Sequence, residues 1–368
     1  MNINRDNSNL IIIEKKNEVY ITIDCESDIQ REISEFFTFY VPGYKFMPAF
    51  RTRMWDGKIR LFSQKTKEIY FGLYPYIKAF AEERGYNIVA AKDVEIDNKV
   101  DKEVVTKFSN SLGQKFEARD YQIDAIYHSL KRNRALLVSP TASGKSFIIY
   151  SLIRYYSHLI KNDTNNRTLL IVPTTSLVEQ MYTDFESYGW NVKKYCHRLY
   201  SGYSNQTDKK VLISTWQSLY KLPKTYFEQF GVVFGDEAHL FKSKSLTEIM
   251  TKLVDCKYRI GLTGTLDGAH THKLVLEGLF GAVNKVTSTK KLMDKKQLSN
   301  LAVRCLILKH SEANCKMVAS GKYQDEMDYL VSSKARNNFI RNLALKIKGN
   351  TLILFQLVEK HGKGLHEL

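Results

Sequence analysis

Apolar positions follow two different rhythms along this chain, and the change of rhythm divides it. Near the start, Leu10–Glu14 and Glu18–Ile23 alternate with period two, which predicts two strands around the turn Lys15-Lys-Asn17. Ser27-Asp-Ile-Gln30 fits a capping box, and Ile29, Ile33, Phe36, Phe37 and Tyr40 follow at helical spacing. Asp56-Gly57 stands between strand-like arms in Arg51–Phe62, a strong short-range hairpin signal. A helix over Tyr74–Arg84 and a short strand at Ile88–Ala90 complete a small α+β unit. Lys92–Glu117 is polar and of mixed charge, a linker or a bridging helix.

From about residue 118 the apolar runs become continuous: Ala135–Val138, Leu169–Val172, Val211–Ser214, Val232–Gly235 and Tyr258–Leu262. Such runs suit strands covered on both faces, as in a parallel sheet. Helical stretches at Ser146–Ile160, Leu177–Tyr188 and Leu246–Val254 lie between most of them. Alternating strands and helices predict an α/β fold with its ligand at the carboxyl ends of the strands. Further on, Leu301–Leu308 and Thr351–Phe355 read as strands and Tyr323–Lys348 as a long helical region.

Charge adds a partner to this picture. Lys and Arg number 55 against 39 Asp and Glu, a net charge of +16, which points to a polyanion such as nucleic acid. No apolar run approaches the roughly 18 residues that span a bilayer, and Met1-Asn-Ile-Asn-Arg is no signal peptide. No membrane association and a cytoplasmic location are therefore expected. The five cysteines are scattered without a C-x-x-C pair, as suits reduced thiols. His270 and His272 have no neighbouring ligand set, so they read as loop histidines.

Candidate chemistry concentrates at the strand ends. Ser139-Pro-Thr-Ala-Ser-Gly-Lys-Ser146 has the spacing of a phosphate-binding loop, with Ser139 where a first Gly would stand. Gly144 allows close backbone approach, and the N–H groups that follow open a helix toward an anion. Lys145 can reach β- and γ-phosphates, and the Ser146 hydroxyl can ligate Mg²⁺. Asp236-Glu237 follows the strand Val232–Gly235: Asp236 would hold the metal and Glu237 would activate water. The alternative for an acidic pair there is a helix N-cap. Between Tyr44 and Lys67 seven basic residues and one acid interleave with Phe46, Phe50, Trp55 and Phe62. Arg51, Arg53, Trp55, Lys58 and Arg60 are the candidates there for phosphate contact and base stacking; the alternative is an amphipathic hairpin with buried rings.

Six segments occur in the order of superfamily two helicase motifs: Arg119-Asp-Tyr-Gln122, Ser139–Ser146, Ile171-Val-Pro-Thr-Thr175, Ser214-Thr-Trp-Gln-Ser218, Asp236-Glu-Ala-His239 and Gly261-Leu-Thr-Gly-Thr265. More narrowly, Trp55-Asp-Gly-Lys-Ile-Arg-Leu61 and Thr215-Trp-Gln217 resemble the UvsW-type recombination helicases of T-even bacteriophages, over essentially the whole chain. The resemblance implies a RecA-like P-loop domain with a parallel sheet, preceded by a small α+β DNA-binding module and followed by a truncated second RecA-like domain. The expected boundaries are 1–110, 111–282 and 283–368. It implies ATP and Mg²⁺ as cofactors and DNA, single-stranded or branched, as partner, with a monomer favoured and host cytoplasm as the location.

The resemblance also distributes roles. Arg119 and Gln122 match an adenine-recognising motif, and Thr141, Ser143, Gly144, Lys145 and Ser146 match the phosphate loop. Lys145, Asp236 and Glu237 would carry catalysis, with Ser146 and Asp236 at the metal and His239 beside the nucleotide. Pro173, Thr174, Ser214 and Thr215 would hold the nucleic-acid backbone, contacts that position without reading sequence. Thr263 and Thr265 would couple the two sites.

Asn350–Phe355 resembles the opening of a second RecA-like domain, which needs about 150 residues. The chain is therefore expected to be truncated and weak or inactive alone: Arg304, Arg336 and Arg341 all precede the strand at Thr351–Phe355, whereas the γ-phosphate arginine of the family the chain resembles lies well after it. Rival readings are a nucleotide-gated DNA-binding protein without turnover, an RNA helicase, a restriction-type motor subunit, or a P-loop kinase or GTPase.

Overall fold

The computed structural model describes residues 9–266, 270–299 and 301–368. It divides into two compact units, residues 1–299 and 300–368.

The first unit opens with β1 (Leu10–Lys15), β2 (Tyr20–Asp24), β3 (Thr38–Tyr40), β4 (Lys58–Arg60), β5 (Glu68–Tyr70) and β6 (Asn87–Ala90). β1 and β2 pair antiparallel with Ile13 opposite Ile23, and the sheet runs β5-β2-β1-β6. Period two puts Ile11, Ile13, Ile21 and Ile23 on one face, and all four are fully buried. Asn17 closes the turn by accepting the Val19 and Tyr20 N–H groups at 2.8 and 2.9 Å. The helix Ser27–Phe36 adds Ile29 and Ile33 to this core, although its N-cap is Glu26 and no capping box forms. Gln30 instead donates to the Cys25 carbonyl.

The expected hairpin at Asp56-Gly57 is corrected by the structure. Pro48–Arg51 is a helical turn, and β4 pairs with β3, twenty residues upstream. Asp56 still makes a turn: its carboxylate accepts the Lys58 N–H at 3.1 Å and pairs with Arg60. The Trp55 indole donates to the Lys58 carbonyl at 2.9 Å. Gly57 has φ +78°, and a Cβ there would lie 2.3 Å from the Tyr44 ring. The chain thus turns hard against Tyr44 and leaves no room for a second strand arm.

The larger sheet contains β7 (Arg134–Val138), β8 (Arg167–Val172), β9 (Cys196–Leu199), β10 (Val211–Thr215), β11 (Phe230–Gly235), β12 (Tyr258–Thr263) and β13 (Val283–Lys285). Its order is β13-β7-β12-β11-β8-β10-β9 and every pairing is parallel. This is the RecA-like α/β architecture expected. Successive residues face opposite cores. Ala135 and Leu137 join one with Ile149 and Phe185. Leu136 joins the other, which runs on through Phe280 into Ile11, Ile13 and Phe80 of the small sheet.

The amino-terminal module is therefore fused to the larger sheet by one continuous core. Gly72 makes that contact possible, since a Cβ there would lie 1.9 Å from the Glu277 carbonyl oxygen. Tyr76 also donates to the Glu277 carboxylate at 2.6 Å. β13 carries the sheet past residue 282, where the sequence placed a boundary.

In residues 301–368, helices cover Glu312–Ala319, Tyr323–Ser332 and Lys334–Lys346. The single long helix expected over 323–348 is broken at Ser333, whose hydroxyl accepts the Arg336 N–H and caps the next helix. Leu301–Leu308 and Thr351–Phe355 form no strands, contrary to the sequence pattern. Apolar character alone does not make a strand, because its backbone groups need a paired neighbour. Leu352 and Leu354 are 82% and 84% exposed. Among the described residues no helix is long and apolar enough to cross a membrane.

Candidate nucleotide and nucleic-acid site

β7 ends at Val138, and the next residues lack side chains large enough to continue the core. Ser139 N–H donates to the Thr263 carbonyl at 2.8 Å, tying the loop to β12. The Ser143 hydroxyl bonds the Pro140 carbonyl and Ser139 Oγ, each at 2.6 Å, and so closes the loop from inside. Ala142 and Gly144 take φ +62° and +82°, a left-handed pair that folds the backbone into a concave anion cradle. At Gly144 any Cβ would strike Gln122 Nε2 at 2.3 Å. The helix Lys145–Leu159 starts there, with Lys145 and Ser146 in its first turn and Thr141 exposed on the crest.

β11 brings the acidic pair beside this loop. The Asp236 N–H donates to the Ile171 carbonyl of β8, which fixes the carboxylate between the two strands. Glu237 follows at φ +49° and turns back, so that its Oε1 lies 3.1 Å from Lys145 Nζ. His239 Nδ1 is 2.9 Å from Thr263 Oγ1 and 3.3 Å from Glu237 Oε2. Thr263 gives its only proton to the Thr265 carbonyl at 2.7 Å, so His239 must be the donor through Nδ1. Lys145, Glu237, His239 and Thr263 thus form one chain of contacts across β7, β11 and β12. The N-cap alternative for Asp236-Glu237 is not what the structure shows: neither side chain caps the short 3-10 turn that follows.

Asp236 is 3% exposed, and its Oδ1 has no hydrogen-bond partner among the described residues. Burial, reinforced by Glu237 and opposed by Lys145, pushes its carboxyl up to about 6. A buried acceptor without a donor fits a hydrated cation, with Ser146 the hydroxyl on the loop side. No cluster of three or more His, Cys, Asp or Glu among the described residues could hold a metal by itself.

Gln122 is 4% exposed and faces the loop: Nε2 donates to the Ser143 carbonyl at 2.9 Å and Oε1 accepts the Arg119 N–H at 2.9 Å. Tyr121 donates to the same carbonyl at 3.1 Å and accepts from the Arg119 guanidinium at 2.8 Å. Sequence reasoning missed Tyr121, although it lies inside the motif. It also missed Tyr188, whose hydroxyl is 2.9 Å from Ser146 Oγ and which no motif marks.

Along the same edge, Thr174 is exposed and caps the helix Thr175–Ser187 by accepting the Leu177 N–H at 3.3 Å, with Pro173 half-buried beside it. Ser214 and Thr215, expected to hold the nucleic-acid backbone, do not present their hydroxyls at the surface. Ser214 is fully buried and donates to strand-end carbonyls, with Leu199 O at 3.1 Å; Thr215 is 4% exposed and meets Ser218 Oγ at 3.2 Å. β10 lies inside the sheet, so its last side chains turn into the cores, and Gln217 is the exposed residue that follows.

In the small module Arg51 and Arg53 are exposed, and Trp55 and Lys58 are half-buried. A groove of about 600 Å³ is lined by Lys45, Phe50, Arg51, Arg53, Met54, Trp55 and Asp56. Arg60 is engaged by Asp56.

Comparison with known proteins bears on both parts of the chain. The family description "DNA helicase UvsW, N-terminal" matches residues 11–91, and "Type III restriction enzyme, res subunit" matches residues 115–268. The ATP-dependent DNA helicase uvsW of Enterobacteria phage T4 is 33% identical over 361 residues, 95% of this chain and 71% of the relative. A DNA 3'-5' translocase XPB2 of Sulfurisphaera tokodaii is 28% identical over 176 residues, 45% of this chain and 36% of its own. A crystal structure of the UvsW helicase from bacteriophage T4 superposes with TM-score 0.68 and 33% identity, covering 75% of this chain and 99% of that one. An alignment that runs through the amino-terminal module and the P-loop sheet alike leaves one conclusion: this chain belongs to the UvsW family of DNA helicases.

Proposed function

We propose that this protein is an ATP-driven DNA motor acting on branched DNA, with Mg²⁺–ATP bound at the carboxyl edge of β7 and β11. The observation that carries the reading is the chain of contacts from Lys145 through Glu237 and His239 to Thr263. Bound ATP supplies the phosphoanhydride whose cleavage drives the motor. Lys145 holds the phosphates, with the Ser143 and Gly144 backbone shaping the cradle. Ser146 and Asp236 are the metal-side groups. Glu237 pairs with Lys145, and a phosphate that competes for the ammonium would free the carboxylate to accept a proton from water. His239 and Thr263 pass the position of Glu237 to Thr265, two residues past the end of β12. Gln122 and Tyr121, each bonded to Arg119, hold the loop from outside through the Ser143 carbonyl.

DNA is read as shape and charge. Pro173 and Thr174 contact its backbone at the sheet edge, and Arg51, Arg53, Trp55 and Lys58 engage it from the module. The test is ATP hydrolysis by the full chain with linear duplex, forked DNA and RNA. Forked DNA should stimulate most and RNA least. Nucleotide binding with no stimulated turnover by any of them would favour the nucleotide-gated binder instead. Replacing Arg51, Arg53 and Lys58 by Ala should lower the slope of log affinity against log salt by about 3, since each neutralised phosphate contributes about 0.9.

A further inference from the structure

Residues 41–57 join β3 to β4 and add nothing to either apolar core. From Val41 to Asp56 none is buried, and Phe46 and Met54 are 77% and 84% exposed. The segment is nevertheless firmly built. The Val41 N–H donates to the Gly57 carbonyl at 2.9 Å and closes its base. Tyr44 stands between Tyr40, stacked on it at 4.7 Å, and Phe50, edge-on at 4.8 Å. Phe46 ends a 3-10 turn and gives its N–H to the Gly43 carbonyl at 2.9 Å. The Met54 and Trp55 N–H groups both donate to the Ala49 carbonyl, at 3.0 and 3.2 Å.

The charges around these two side chains name an occupant. Lys45 precedes Phe46 and Arg53 precedes Met54; Lys45, Arg53 and Met54 line one groove with Phe50, Arg51 and Trp55. Between Tyr44 and Lys67 seven basic residues stand against one acid, Asp56, and Arg60 engages that acid. Cations alternating with apolar side chains fit a phosphate chain with an uncovered base beside it.

Phe and Met are among the side chains that proteins drive between base steps. Entering continuous duplex costs the stacking of that step. At a branch point the step is already open, so the same contact forms without that cost. Phosphate contacts are alike on both DNAs and cannot make this distinction.

We propose that Phe46 and Met54 occupy the open base step at a DNA branch point and give the module its preference for branches over continuous duplex. The inference rests on the reading of the chain as a motor on branched DNA, and adds the residues that choose the branch.

The test measures the affinity of the full chain, without nucleotide, for a fork and for a linear duplex with the same number of phosphates. Phe46→Ala should weaken fork binding roughly 5–150-fold, the worth of one base stacked on a ring, with linear affinity close to wild type. Met54→Ala should act in the same direction by less, and Phe46→Trp should keep the preference. None of these changes alters charge, so the slope of log affinity against log salt should stay as in the wild type on both DNAs. A fork preference that survives the two alanine changes together overturns the proposal, and so does an equal loss on both DNAs. If the changes alter only the sedimentation of the free protein, the patch joins copies of this chain and the proposal is overturned as well. A wild-type chain without fork preference removes the branched-DNA reading itself. A wild-type preference that the alanine variants retain removes only this inference.

Discussion

The two ends of the seven-stranded sheet bury charge in opposite ways. At the amino ends of the strands, Arg259 is completely buried and gives its N–H groups to the carbonyls of Leu279, Leu253 and Met250 at 2.9, 2.9 and 2.7 Å. These carbonyls close the ends of the helices Lys244–Lys252 and His270–Phe280, where a cation is favoured. Arg134 pairs with Glu18 of the amino-terminal module at 2.7 Å and stacks on Phe71 at 4.3 Å. At the carboxyl ends, Asp236 keeps an oxygen without a donor, and Ala142 and Glu237 hold left-handed backbone. One end meets its charges with protein groups, a carboxylate, carbonyls and an aromatic ring, although Arg134 Nε and Nη1 have no hydrogen-bond partner among the described residues, and so binds a domain. The other leaves its polar groups and its strain for a ligand.

The sharpest way to break this comparison is at Glu237. Glu237→Gln should lower single-turnover ATP hydrolysis by about 10²–10⁴, the usual worth of a positioned base, while nucleotide affinity stays. Hydrolysis within a few-fold of wild type would remove Glu237 from the chemistry. At the other end, Arg134→Met leaves Glu18 buried without its main partner and should cost about 3–5 kcal/mol in urea unfolding. ATP binding by the fraction still folded should be unaffected. A loss under about 1 kcal/mol would mean that the continuous apolar core alone holds the module.

Lys145→Ala should weaken nucleotide binding roughly 10–100-fold, from the loss of charge-assisted contacts, and leave the unfolding midpoint in place. An equal drop in stability would put Lys145 on the structural side of the comparison.

The smallest effect is a difference in the sign of pH dependence. Asp236 is raised, so the folded protein holds that proton more tightly than the unfolded chain does. The stability it contributes is complete below the unfolded value of 3.8 and is lost as pH rises through about 6. Glu18 behaves oppositely. Burial works to raise its carboxyl, but Arg134 and Lys15 outweigh burial and hold it below the ordinary 4.5. Its contribution is present above that value and is lost as pH falls through the folded one. Asp236→Asn should therefore flatten the decline in urea midpoint between about pH 4 and 6, and Glu18→Gln should flatten the acid limb. If neither limb changes, the two ends do not differ in this respect.

Much of this was legible in the residues themselves. The strands β7, β8, β10, β11 and β12 are continuous apolar runs, which only a doubly covered sheet accommodates. The loop Ser139–Ser146 and the pair Asp236-Glu237 are local patterns whose chemistry depends on spacing along the backbone. Other features depended on partners far away in sequence. β9, Cys196-His-Arg-Leu199, has no apolar run and is a strand because β10 pairs with it. Asp56-Gly57 turns the chain as its residues dictate, but Tyr44 and β3 decide what lies on each side. Ser214 and Thr215 look like surface hydroxyls until the sheet order places β10 inside.

The same division explains the module and the site. Period two determined that residues 10–24 form strands, yet whether that sheet stood apart was decided by Gly72 meeting Glu277 and by Glu18 meeting Arg134. The motif determined that Ser146 sits at the first turn of a helix; the packing of Tyr188 against Phe147 and Tyr150 decided which hydroxyl it meets. Spacing along a chain specifies what a backbone segment can do by itself. Which charge is paired, which oxygen is left open and which strand is central depend on contacts between distant residues, and these exist only once the chain has closed on itself.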